Sequence, residues 1–227
     1  MPARSFDNVD LSAVKFRLPT KKNAHQGWMA TMTDSNGDKI FFKTPMMKIP
    51  FEPVFGGLTL FEDYNADEVD AESETPTEFS KFMKQVEDMC YNSFDQMRQE
   101  KLRQGITFGI EEQEPYSIVH KKSNQDEKGN VYTSMKYTVK IFKDNETGEY
   151  DTFEVYDEFN NKAKFQAQPG VRGTLLCQLH SWYYDGMRKK FHVRIYVRAI
   201  KLSESQGCSV SDVPDIRQWL DNPADIF

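Results

Sequence analysis

The chain has no apolar run approaching the roughly 20 residues that cross a bilayer. Its first ten residues, MPARSFDNVD, carry no apolar stretch of the signal-peptide kind. A soluble, intracellular protein is expected. Cysteine is scarce: Cys90, Cys177 and Cys208 are odd in number and far apart, which fits reduced structural thiols better than a disulfide framework. There is no glycine-rich phosphate loop, nucleophile elbow or HExxH segment. Cys177, His180 and His192 match no common zinc spacing and lack a fourth ligand. No enzyme chemistry, metal or cofactor is therefore expected.

Positive charge is also in overall deficit, with a formal net charge of −6. Its distribution says more than its sum. Eight acids and no Lys or Arg lie between Glu62 and Glu78, and five acids face the single Arg217 from Ser203 onward. The acids of 62–78 lack the apolar setting that raises a carboxyl pKa for general-acid work, and read as a solvated loop. Between Val131 and Leu202 the balance reverses to a net +4. A basic segment thus sits between an acidic insertion and an acidic tail.

Seventeen Phe and ten Tyr support strands, because aromatic side chains suit half-buried pleated surfaces. Val14–Leu18 alternates apolar and polar. Gly27–Thr33 and Lys39–Lys43 flank Asn36-Gly37, which predicts a hairpin. Asp34-x-Asn36-x-Asp38 also resembles the start of a calcium loop, but Lys39 stands where glycine is required and Pro45 where the bidentate Glu belongs. Pro45, Pro50 and Pro53 are expected to rule out regular structure until Gly57. Thr75-Pro76-Thr77-Glu78 reads as a capping box opening a helix from about Pro76 to Gln104. Its apolar stripe runs through Phe79, Phe82, Met83, Val86, Met89, Cys90, Phe94 and Met97, and Gly105 closes it. Strands follow near Pro115–Lys121, Tyr132–Lys143, Tyr150–Tyr156, Arg172–Tyr184 and Lys190–Leu202. Five strands in succession with no βαβ alternation favour a closed or nearly closed antiparallel barrel.

The last of these strands carries the functional signal. Phe191, Val193, Ile195, Val197 and Ala199 share one parity, whereas Lys190, His192, Arg194, Tyr196 and Arg198 share the other. A period of two puts the first set in a core and the second on an outer face. Counting the same way, Lys136, Thr138, Lys140 and Phe142 share a face, as do Gln178, His180, Trp182 and Tyr184. Cations beside flat rings are what single-stranded nucleic acid needs: charge for the phosphates and π-surfaces for the bases. Lys136, Lys140, Arg188, Lys189, Lys190, Arg194 and Arg198 are the phosphate candidates, with Lys15 and Arg17 secondary. Phe142, Trp182, Tyr184 and Tyr196 are the stacking candidates. Two alternatives stay open: a non-catalytic module binding an acidic protein, and an RNA-binding one. Exposure of Trp182 and Tyr196 beside Arg194 is the discriminator, since buried rings favour the protein-binding module.

The layout resembles the viral single-stranded DNA-binding proteins of the podovirus replication type and their relatives in large eukaryotic DNA viruses. The resemblance rests on the long helix, on TFEVYDEFNNK, on QPGVRG, and on LLCQLHSWYYDGMRKKFHVRIYVRAIKL. FFKTPMMKIPFEPVFGGL (Phe41–Leu58) is similar to the eukaryotic-virus relatives. It implies a mainly β chain with one long α-helix, an OB-type antiparallel barrel with N-terminal hairpins. One domain would span 1–202, including the acidic loop 62–75 and helix 76–104, with a mobile acidic tail over 203–227. It also implies sequence-independent coating of single-stranded DNA during viral replication and recombination in the host cell. Asp221, Asp225, Ile226 and Phe227 match the family's acidic, aromatic-ended tail. That tail would contact a polymerase or helicase/primase and compete with DNA. Homo-oligomerisation is left open.

Overall fold

The computed structural model describes residues 4–22, 27–49, 57–62, 77–106, 108, 118–125, 131–141, 154–163, 165 and 171–203. The chain is mainly β with one long helix. Short strands β1 (Arg4–Ser5), β2 (Lys15–Phe16) and β3 (Thr20–Lys22) lead into β4 (Gly27–Thr33), β5 (Ile40–Lys43), β6 (Met47–Lys48) and β7 (Gly57–Glu62). After α1 (Glu78–Arg103) come β8 (Val119–Gln125), β9 (Val131–Lys140), β10 (Glu154–Tyr156), β11 (Arg172–Asp185) and β12 (Lys190–Leu202).

The pairings close on themselves. β11 pairs with β6, β6 with β7, β7 with β9, β9 with β12, and β12 returns to β11. This five-strand ring is consistent with an OB-like barrel. It differs from the expected barrel in two ways. Two of its strands, β6 and β7, precede the helix, while β8 and β10 lie outside the ring. The sheet is also mixed rather than antiparallel, because β9 and β10 both run parallel to β12.

The predicted hairpin at Asn36-Gly37 does not form. The turn itself does: the Asp34 carboxylate accepts from the backbone N–H of Asn36 and Asp38 at 2.8 and 2.9 Å, and Gly37 takes a φ of +91°. However, β4 and β5 run in the same direction along one edge of β11, with Thr31 opposite Ser181 and Ile40 opposite Leu179. β6 continues that line, with Met47 opposite Gly173. A strand thus does form between Pro45 and Pro50, where the prolines were expected to exclude regular structure; both prolines fall outside its two residues. The long β11 accepts one interrupted strand along this edge, so the Asn-Gly turn is an excursion from a line. The N-terminal hairpin lies one step earlier, where β3 and β2 pair antiparallel with β4.

Helix α1 begins at Glu78, with Thr77 as its cap. The Thr77 hydroxyl accepts from the Ser80 N–H at 3.0 Å and donates to the Glu62 carboxylate at 2.7 Å. The same carboxylate oxygen accepts from the Tyr137 hydroxyl. Glu62 is therefore a buried tie between β7, β9 and the helix start, not part of a solvated loop. The predicted cap, Thr75, and residues 63–76 lie outside the described residues. At the other end, the N–H of Gly105 bonds the Leu102 carbonyl and that of Ile106 bonds the Lys101 carbonyl. With Gly105 at φ +79° this is a Schellman closure.

The predicted stripe faces the sheet: Phe79, Phe82, Met83, Val86, Cys90, Phe94 and Met97 are buried, and Met89 packs at its edge. Phe79 meets Tyr137 with ring centroids 5.0 Å apart, Phe82 meets Phe42 at 5.2 Å, and Phe94 meets Phe191 at 5.1 Å. Burial pushes the Cys90 and Cys177 thiols up, leaving both as apolar fillers. No described helix is long and apolar enough to cross a membrane. Residues 204–227, and with them Cys208 and the proposed tail contacts Asp221, Asp225, Ile226 and Phe227, lie outside the described residues.

Candidate functional site

Two β-bulges decide which side chains share the outer face. Between Leu179 and Ser181 strand β11 carries one residue more than β12, so parity flips at His180. Leu175, Cys177 and Leu179 point into the core before the bulge, and Trp182 and Tyr184 do so after it. Trp182 is 0% exposed, packed edge-on to Phe94 at 5.5 Å, and its indole N–H donates to the Ser93 hydroxyl at 3.0 Å. Tyr184 stacks on the same Phe94 at 5.3 Å. Neither ring can reach a base. Both predicted stacking roles are corrected on that ground.

The second bulge sits at Arg198, between the pairs Leu176–Ala199 and Cys177–Val197. Phe191, Val193, Ile195 and Val197 line the core as expected, after which Ile200 and Leu202 take over. His192, Arg194, Tyr196, Arg198 and Lys201 are left toward the outer side. Opposite them on β11 lie Tyr183, Ser181 and Gln178, paired with His192, Arg194 and Tyr196 respectively. On the other flank Tyr196 registers with Lys140 of β9. Tyr137 and Val139 are core residues, so Lys136, Thr138 and Lys140 occupy the outer parity of β9. Four of the seven predicted phosphate ligands, Lys136, Lys140, Arg194 and Arg198, thus share one sheet face. The other three, Arg188, Lys189 and Lys190, are exposed at the β11–β12 turn. There the Asp185 carboxylate accepts from the N–H groups of Met187 and Arg188, each at 3.0 Å, and Lys189 takes a φ of 54°.

The face is crowded with positive charge. Burial and then the neighbouring Arg194 hold the Lys140 ammonium below its ordinary pKa. His180 is pushed down to about 4 by burial and by Arg194, Arg198 and Lys39. Burial, Arg194 and Lys140 lower His192, with Asp185 opposing them. Burial also lowers Arg198. Cations that depress one another's pKa form a region where an incoming anion relieves repulsion.

The rings on this face are covered. The Arg194 guanidinium lies 4.1 Å over the Tyr183 ring. Tyr196 lies edge-to-face with His180 at 4.6 Å, with Arg198 at 5.7 Å from its centre. Arg198 in turn donates two hydrogen bonds to Gln178 Oε1, at 2.6 and 3.0 Å. Tyr183 and Tyr196 are each 7% exposed. Tyr196 is on the predicted face but is closed over, and Phe142 lies outside the described residues. Uninterrupted alternation puts Tyr184 rather than Tyr183 on this face, because nothing in HSWYY marks the bulge. Lys15 and Arg17 serve locally, donating to the carbonyls of Ser35 and Gly37 at 3.0 and 3.4 Å. Cys177 faces the core while His180 and His192 face outward, and among the described residues no three metal-binding side chains cluster.

No family model matches the chain, and no curated protein matches it. One solved structure to which it is similar is the crystal structure of gp2.5, a single-stranded DNA binding protein encoded by bacteriophage T7. The match covers 80% of this chain and 93% of that one, at 13% identity and a TM-score of 0.40.

Proposed function

We propose that the chain binds single-stranded DNA without sequence preference and without catalysis, through the outer face of β9, β12 and β11. The observation that supports this is the convergence of Lys136, Lys140, Arg194 and Arg198 on one face, continued by Arg188–Lys190 at the turn. Regularly spaced cations along an extended strand suit a polyanion with a repeating charge. Arginine planes already lie on tyrosine rings here, so a base can stack on guanidinium or displace it. The replication and recombination setting, and the tail's contact with replication proteins, rest on the resemblance of the sequence to viral single-stranded DNA-binding proteins.

One observation favours a second reading. Trp182 and Tyr196, whose exposure was to discriminate between the alternatives, are both buried, which suits an acidic protein partner. Fluorescence anisotropy with a labelled oligo-dT separates the two. Single-strand binding predicts saturable association whose log Kd against log salt has a slope of magnitude about 3 to 5, at roughly 0.7 per phosphate engaged. An abasic oligomer or polyglutamate competing as well as oligo-dT would favour the acidic partner, and comparing oligo-dT with oligo-rU decides between DNA and RNA. Absence of association at low salt would remove the nucleic-acid reading.

A further inference from the structure

With Trp182 and Tyr184 in the core and Tyr183 and Tyr196 covered, Phe159 is the one strongly exposed aromatic ring among the described residues, at 69%. Its position is not casual. It projects from the Asp157–Asn161 turn that follows β10, and β10 lies alongside β12 with Tyr156 opposite Lys201. The turn is braced from within. The Asp157 carboxylate accepts from the backbone N–H of Phe159 at 2.9 Å and of Asn161 at 2.8 Å, and from the Asn161 side chain at 3.0 Å. Asn160 holds a φ of 66° and accepts from the Lys201 ammonium at 2.7 Å. Lys201 belongs to the outer parity of β12 beyond the Arg198 bulge, so this bond ties the turn to the end of the basic face.

Holding a large apolar ring in water on a preorganised turn has no packing benefit for the fold. Ordering it in advance does lower the cost of binding a flat partner. Of the three acids just before Phe159, Asp157 is committed to the turn, Glu154 pairs with Lys162 at 3.0 Å, and Glu158 is half-buried. We propose that Phe159 is a base-stacking platform at the Lys201 end of the basic face, taking a nucleobase of a strand whose phosphates run along Arg194 and Arg198. This rests on the single-strand reading above and adds to it a specific π-contact and an end point for the track.

The test uses the full chain with labelled oligo-dT at fixed salt. Phe159→Ala is expected to weaken binding about 5- to 150-fold, the range of one stacked base, with the slope of affinity against salt unchanged because no phosphate contact is lost. Phe159→Leu, which keeps an apolar group but no π-face, is expected to lose nearly as much. Phe159→Trp is expected to retain affinity and to add emission over that of the parent's Trp28, Trp182 and Trp219, with a larger fraction of the total quenched by oligo-dT than in the parent. Parent-like affinity in Phe159→Ala overturns the platform while leaving the single-strand reading standing. Full affinity in Phe159→Leu alongside loss in Phe159→Ala overturns stacking in favour of a plain apolar contact. If the parent itself does not bind, both fall together. Because the side chain is exposed, thermal unfolding of all three variants is expected to match the parent.

Discussion

Trp182 and Tyr183 are neighbours in the chain and lie on opposite sides of the sheet: the indole is under α1 against Phe94, and the phenol is under the Arg194 guanidinium on the basic face. Adjacent residues of a strand must diverge in this way. Which of the two faces out is set by the bulge at His180. A single inserted residue thus exchanged a predicted ligand-contacting ring for a core ring.

Trp182 should behave as a core residue. Trp182→Ala is expected to cost about 3–5 kcal/mol in urea unfolding, the range for emptying a large aromatic site. Trp182→Phe should cost less, losing volume and the bond to Ser93. Folded Trp182→Phe should bind oligo-dT as the parent does. A tenfold loss of affinity with stability intact would place the indole in contact with ligand and contradict the burial.

Charge on the face should be countable. Removing Lys140 or Arg194 by Ala substitution is expected to reduce the magnitude of the salt slope by about 0.7 each, one phosphate contact per residue. Lys81→Ala, whose ammonium pairs with Glu78 on the helix, should leave the slope unchanged. Equal effects from all three would mean that only the overall charge of the chain matters.

Much of this architecture was legible locally and little of it globally. The α1 stripe at three-to-four spacing was visible because a helix reads its own sequence, and only its start moved, from Thr75 to Thr77. The alternation in β12 identified Arg194, Tyr196 and the core valines. The ring was harder to see, because closure depends on β6 and β7 from before the helix pairing with strands after it. Leu58 and Leu60 do alternate with Thr59 and Phe61, but six residues beside a proline-rich stretch are a weak signal. Bulges have no composition of their own, so simple alternation points to Trp182 and Tyr184 where the fold presents Tyr183.

The two histidines of the basic face, His180 and His192, should make stability fall in mild acid. Unfolded, each titrates near 6.5. Folded, His180 is held to about 4 and His192 is lowered as well. Between those values the unfolded chain binds protons that the folded chain refuses, so stability rises with pH and is fully present only above about 6.5. His180→Asn removes one such group. Relative to the parent, the variant should therefore gain in unfolding free energy as pH is lowered from 7 to 4.5. A difference between the two chains that is constant over that window would show that His180 is not shielded as described.

Gly27 should be the least tolerant glycine beside the basic face. A Cβ there would come within 2.4 Å of the Tyr184 carbonyl oxygen and 2.8 Å of the Tyr183 hydroxyl. The first of these is backbone in the β4–β11 pairing, so the strands must separate to admit a methyl group. Gly27→Ala is expected to cost about 1–3 kcal/mol, as overpacking does, and to weaken oligo-dT binding by displacing Tyr183 from under Arg194. Gly37 supplies the contrast: nothing lies within 4 Å of its Cβ position, and only its φ of +91° resists substitution. Gly37→Ala should cost about 1–2 kcal/mol through backbone strain alone and leave binding untouched. Urea unfolding and oligo-dT anisotropy on both variants check this. Unchanged affinity in a folded Gly27→Ala chain would separate Tyr183 from the binding face.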